Sequence, residues 1–116
     1  MKLHFLGANR QVTGSRYCLE TAGRELLIDC GLFQERQFQA RNWDPCPIPA
    51  ERVDAMLLTH VHIDHSGLIP RFVREGFAGP IHCTRPTAAT RRRCPARCRR
   101  PWRPWLVNFL TRLTIP

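Results

Sequence analysis

Thr59-His-Val-His-Ile-Asp-His-Ser-Gly67 follows directly on the apolar run Ala55-Met56-Leu57-Leu58, and reading these thirteen residues decides the rest. His60, His62, Asp64 and His65 bring three imidazoles and a carboxylate together within six residues. Neutral imidazole and carboxylate suit zinc, iron or manganese. If the strand continues through His60 and His62, their two-residue spacing sends both side chains off one face, where they can chelate a single ion. A lone histidine would be read as a surface or satisfied core residue. Three with an aspartate at this spacing are read as metal ligands. The absence of nearby cysteine argues against a closed structural zinc site and for an open, catalytic one. Ser66-Gly67 then opens a helix expected over Leu68 to Glu75, with Leu68, Ile69, Phe72 and Val73 on its apolar side. Strand, ligand loop and helix in this order put the site at the carboxyl end of a strand, where α/β folds gather their chemistry.

Upstream, Lys2 to Leu6 and Arg16 to Thr21 mix apolar with polar residues and flank a loop bearing Gly7, Asn9, Gly14 and Ser15, a pattern that predicts paired strands. Thr21-Ala-Gly-Arg24 supplies a turn into Leu26-Leu27-Ile28, a buried strand candidate. Asp29 follows it, beside a glycine that permits close backbone approach. From the residues alone two readings stand level: Asp29 orients metal-bound histidines, or it is a turn or helix-capping carboxylate. Phe33 to Trp43 predicts a short helix or ordered loop. Its aromatics, interleaved with Arg36 and Arg41, either stack on single-stranded nucleic acid or pin the segment to the core, and ordinary burial preference favours the core. Asp44 to Pro49 is a proline-punctuated connector, and Pro80 to Cys83 a short strand in which His82 reads as structural rather than ligating.

The motif has company that makes a resemblance specific. Lys2-Leu-His-Phe-Leu-Gly-Ala-Asn-Arg-Gln-Val-Thr-Gly-Ser15, Leu26-Leu-Ile-Asp-Cys-Gly31, the histidine cluster and Cys83-Thr-Arg-Pro-Thr-Ala-Ala89 occur in the order seen in metallo-β-lactamase-fold hydrolases. More narrowly, they resemble the β-CASP branch of RNA-processing nucleases, over Met1 to about Ala89. The resemblance implies an α/β (α+β) fold, a partial αββα sandwich of which this chain holds the first, β-rich half. It implies zinc, with two ions in the complete family site. His60 and His62 would hold one ion with a later histidine. Asp64 and His65 would hold the other with a later histidine, and a later aspartate would bridge both. Asp64 and His65 are then the catalytic candidates here, Asp29 the residue orienting the histidines, and Gly14 and Ser15, with Gly7, Ala8 and Thr13, a loop whose backbone N–H groups meet phosphate. RNA is the implied substrate. A lactam- or thioester-hydrolysing relative is disfavoured by the Val12-Thr-Gly-Ser15 loop and the Cys-Thr-Arg-Pro-Thr segment.

Charge divides the chain. The formal net charge is +9, yet residues 1 to 75 hold nine Lys and Arg against nine Asp and Glu, so the whole excess falls in residues 76 to 116, which hold nine Arg and no acid. Seven of those arginines, with Pro95, Pro101, Pro104, Cys94, Cys98, Trp102 and Trp105, crowd into Arg91 to Trp105 without helical or strand periodicity. The expected division is therefore residues 1–89, the amino-terminal part of a metallo-β-lactamase-like domain, and 90–116, an irregular basic tail. Two origins compete for the tail. Its composition and the abrupt end of the resemblance favour out-of-frame translation or truncation over an arm that binds nucleic acid through Arg, Trp102 and Trp105. After His65 the only histidine is His82, and no Asp or Glu follows Glu75. The downstream ligands are thus missing, one zinc or fewer is expected, and whether this chain is an enzyme stays open, with an inactive fragment the favoured expectation. A half sandwich should expose apolar surface and self-associate.

No C-x-x-C pair occurs among Cys18, Cys30, Cys46, Cys83, Cys94 and Cys98, so reduced thiols are expected. No run has the length of a membrane span, no membrane partner is expected, and the expected compartment is cytoplasmic.

Overall fold

A computed structural model of the chain describes residues 1–92 and 113–114. Six strands, β1 (Lys2–Phe5), β2 (Tyr17–Thr21), β3 (Arg24–Ile28), β4 (Ala55–Leu58), β5 (Ile81–Cys83) and β6 (Leu113–Thr114), lie side by side in chain order. β1, β2 and β3 are antiparallel, and β3 to β6 are parallel. The hairpin between β2 and β3 closes through Ala22 and Gly23, at φ +48° and +75°. Two central residues at positive φ are what a type I′ turn needs to match strand twist. Parallel pairing instead requires crossovers. From β3 to β4 the chain runs through 3-10 helices at Arg36–Asn42 and Ala50–Arg52, and from β4 to β5 through α1 (Ile63–Ser66) and α2 (Ile69–Arg74). α3 (Arg85–Arg92) follows β5.

Register sorts the sheet into two unlike faces. Cys18, Leu27, Met56 and Ile81 are cross-strand partners on one of them, and Leu58 pairs with Cys83 beside them. All six are buried, packed with Leu68, Ile69, Phe72, Phe77 and Ala88 from the helical layer. The other face carries Leu3, Leu19 and Leu26 in one row and Phe5, Tyr17, Ile28 and Leu57 in the next. There Leu3, Phe5 and Leu57 remain 49%, 60% and 41% exposed, and Phe5 meets Tyr17 only edge-on at 5.6 Å. This mixed sheet, backed by helices on one side, is the partial sandwich the sequence led us to expect.

Three local expectations are corrected or sharpened. β4 stops at Leu58, so His60 and His62 stand in a loop rather than in a continued strand. The strand ends where both neighbours do, β3 at Ile28, where Asp29 turns to φ +58°, and β5 at Cys83, the partner of Leu58. The helix expected from Leu68 to Glu75 is α2, Ile69–Arg74, and an unexpected short helix, α1, precedes it from Ile63; Ser66 Oγ donates to the carbonyls of Val61 (3.0 Å) and His62 (2.9 Å) and secures that early turn. In the Phe33 to Trp43 segment Phe33 is buried, Phe38 half-buried and Trp43 81% exposed, so the burial expected of its aromatics holds fully for the first and not for the last. Of the basic tail, residues 93–112 and 115–116, with Cys94, Cys98, Trp102 and Trp105, lie outside the described residues; Leu113–Thr114 form β6 beside β5, a strand that the irregular reading of the tail did not expect.

Candidate metal centre

The site is made by two segments that leave adjacent parallel strands at the same end. One is Asp29-Cys-Gly-Leu32 after β3, the other Thr59 to Leu68 after β4. Their backbones interlock: Cys30 N–H donates to His65 O (2.8 Å), Leu32 N–H to Ile63 O (3.1 Å) and Leu68 N–H to Cys30 O (2.9 Å). The loop before β2 joins the same lattice. Ser15 N–H donates to Asp64 O (2.8 Å), and Gly31 N–H donates to Ser15 O (2.9 Å). Gly31 is obligatory for this approach, since a Cβ there would lie 1.6 Å from the Asp64 carbonyl oxygen.

Asp29 organises the side chains. It is 2% exposed and left-handed, a conformation costly for most residues and tolerated best by Asn and Asp. Its Oδ1 accepts the Thr59 N–H at 2.8 Å, both carboxylate oxygens receive the Thr59 hydroxyl at 3.0 and 2.8 Å, and Oδ2 lies 2.8 Å from His65 Nδ1. An ionised carboxylate only accepts, so Nδ1 of His65 carries the proton and Nε2 keeps its lone pair. The same logic extends to His60. Thr59 spends its single hydroxyl proton on Asp29, so it can only accept from His60 Nδ1, 3.0 Å away, and Nε2 again is the nitrogen left to ligate. One buried carboxylate thereby sets two imidazoles, directly and through Thr59. Asp29 thus touches a histidine of the cluster and also caps the backbone at Thr59.

The rings are gathered. His60 and His65 have centroids 3.9 Å apart, and His60 and His62 4.7 Å apart, edge to face. Asp64 Oδ2 stands 3.5 Å from His65 Nε2, too long for a good hydrogen bond. Two donors bound at about 2.1 Å to a tetrahedral ion would be about 3.4 Å apart, so this pair is spaced as two ligands of one ion. No group of three or more His, Cys, Asp or Glu is arranged to hold a metal among the described residues. The donor chemistry fits a nitrogen- and oxygen-ligated cation, in chelating pairs rather than in a completed shell. Cys30 adds no thiolate, because burial pushes its thiol up to about 12. His82 sits on the open face of the sheet in register with Leu57.

Of the loop residues singled out in the sequence, Thr13 and Ser15 have their N–H groups engaged within the chain, with Glu35 and Asp64 respectively. Gly14, at φ +79°, packs on the Phe33 ring. Two residues that matter here had no role assigned from sequence. Thr59 was legible only as the residue bordering the histidines, and Glu35 carried no local signal at all.

Residues 11–95 match the family model described as the metallo-beta-lactamase superfamily. Ribonuclease TTHA0252 from Thermus thermophilus is 47% identical over 87 residues, covering 75% of this chain and 20% of its own length. Transcription termination factor FttA from Methanocaldococcus jannaschii is 38% identical over 90 residues (75% and 14%), and Integrator complex subunit 11 from Gallus gallus 32% over 101 (82% and 16%). The chain thus spans a fifth or less of these relatives. Among solved structures, the metallo-beta-lactamase SMB-1 superposes with a TM-score of 0.55 at 22% identity, covering 78% of this chain and 34% of that one. The chemotaxis sensor ODP superposes with 0.56 at 18% identity (97% and 39%), and these likenesses support the fold alone. The chain belongs to the metallo-beta-lactamase superfamily.

Proposed function

We propose that this chain carries the first part of a zinc-dependent site for hydrolysing RNA phosphodiesters. The observation that carries the reading is the Asp29-centred network, which presents Nε2 of His60 and His65 for ligation and sets Asp64 beside His65. His60 and His62 would hold one ion, Asp64 and His65 another. When bound, such ions supply Lewis acidity toward water and the phosphoryl oxygens. Asp64 is the carboxylate placed to take a proton beside His65. The Gly7 to Ser15 loop lies against Asp64 through Ser15, so its backbone would border the scissile phosphate. RNA is the substrate class because named relatives include a ribonuclease and a transcription termination factor.

Binding of nucleic acid by the basic stretch is the second reading, favoured by the location of the entire charge excess in residues 76 to 116. It predicts a steep salt dependence that chelators leave unchanged. Self-association through the Leu3, Phe5 and Leu57 face belongs to either reading.

Elemental analysis with hydrolysis of a bis-aryl phosphate and a labelled RNA, beside a His60→Ala control, tests the proposal. Bound zinc with His60-dependent hydrolysis supports a working site in this chain. Zinc at about one per chain or less without turnover makes it a family fragment that kept part of a ligand set. No zinc at all refutes the metal reading.

A further inference from the structure

The Gly7 to Ser15 loop is irregular, with Ala8, Arg10 and Gly14 at φ +49°, +58° and +79°. Non-glycine residues hold such angles only where surrounding contacts determine them. Glu35, early in the β3 to β4 crossover, ties down the same loop at the neighbouring Val12 and Thr13. Its Oε1 accepts the N–H groups of Val12 and Thr13, each at 3.0 Å, and its Oε2 accepts the Thr13 hydroxyl. Thr13 Oγ1 in turn accepts the Gln34 N–H at 2.8 Å, closing a reciprocal clamp between two segments about twenty residues apart. Two successive backbone N–H groups with a hydroxyl form an anion-binding concavity, here filled by the chain's own carboxylate. The Thr13 hydroxyl and N–H bonds hold that carboxyl down at about 2, so it is ionised at any ordinary pH.

The clamp leads toward the site in two steps. Gly14 is pressed against the Phe33 ring, two residues before Glu35, and Ser15 then donates to the Asp64 carbonyl while accepting from Gly31. We propose that Glu35 is a positioning residue: by clamping Val12 and Thr13 it sets Ser15, and through Ser15 it fixes the turn that carries Asp64 and His65. Glu35 lies outside the segments quoted for the family resemblance, while Val12 and Thr13 lie within one of them. The inference depends on the metal-site reading only for its consequence, not for the coupling itself.

The test compares the whole wild-type chain with Glu35→Gln, Glu35→Asp and Thr13→Val, by amide NMR and by zinc titration. Glu35→Gln keeps the volume and loses one acceptor, while Glu35→Asp keeps both acceptors on a shorter arm. The expected result is that the Ser15 and Asp64 amide signals, though remote from residue 35, move together with those of Val12 and Thr13 in Glu35→Gln and Thr13→Val, and return part of the way in Glu35→Asp. Zinc affinity should fall about three- to ten-fold, less than the loss from removing a direct partner of a ligand. Shifts confined to Val12, Thr13 and Gln34, with Ser15, Asp64 and zinc affinity unchanged, would overturn the proposal. Should the wild type take up no zinc, the metal reading fails, and the Ser15 and Asp64 signals still decide the clamp. Thr13→Val removes the same bond from the opposite side, so the answer does not hang on one variant folding.

Discussion

Asp29→Asn separates what Asp29 does for the fold from what it does for the histidines. The amide can keep its oxygen on the Thr59 N–H, now 2.8 Å from Asp29 Oδ1. It must then point its NH2 at His65 Nδ1, 2.8 Å from the present Oδ2. Two donors cannot face each other at that distance, so the imidazole proton moves to Nε2 and the nitrogen needed for ligation is lost. The fold loses a charge-assisted bond worth about 1.5–3 kcal/mol and regains a neutral one worth about 1, a net loss of roughly 1–2 kcal/mol. For a chain of this size that is a fall of about 5–10 °C in Tm. Zinc affinity should drop about ten- to a hundred-fold, the usual consequence of losing a ligand's orienting partner. The assay is ring 15N shifts of His65 for the tautomer, zinc calorimetry, and thermal unfolding of the same samples. A His65 that keeps Nδ1 protonated and binds zinc with wild-type affinity would refute the argument. Asp29→Ala, by contrast, leaves the Thr59 N–H without its acceptor at a left-handed position, and should cost roughly 3–5 kcal/mol.

Gly31→Ala should destabilise the chain by roughly 2–3 kcal/mol in chemical denaturation, because its methyl meets the Asp64 carbonyl at 1.6 Å and the two site segments must part; an unchanged midpoint would show that they do not interlock. Alkaline pH should unfold the protein through Cys30. Its folded thiol binds the proton more tightly than the unfolded one, about 12 against 9.0, so this contribution is complete below pH 9 and lost as pH climbs toward 12. By pH 11 the loss is about 3 kcal/mol, and Cys30→Ala should lessen the fall in stability between pH 9 and 11, leaving the smaller contribution of Cys18, which burial raises to about 11. Phe5→Glu with Leu57→Glu should abolish concentration-dependent association in sedimentation equilibrium while changing stability little, since both side chains are more than two-fifths exposed; an unaltered mass would place any self-association elsewhere.

Read by itself, the chain declared β1 to β5, its hairpin turn and its ligand candidates, but not β6. Alternation of apolar residues, the Ala22-Gly23 turn and the crowding of His60, His62, Asp64 and His65 are local features, and local chemistry is written in consecutive residues. The contact between Asp29 and His65, thirty-six positions apart, was not legible in sequence and comes from the parallel register that pairs Ile28 with Leu57. The strand does not continue through His60 and His62, since a strand continues only where a neighbour continues beside it, and β3 and β5 have both ended by Leu58. Glu35 and Thr59 stayed silent because a carboxylate or hydroxyl acquires its meaning from the partner that tertiary structure supplies. The sequence alone determined which donors are present and which side of each strand is apolar. Only the fold decided which of those donors face one another and which imidazole nitrogen carries the proton, because such contacts follow from crossovers and register rather than from spacing along the chain.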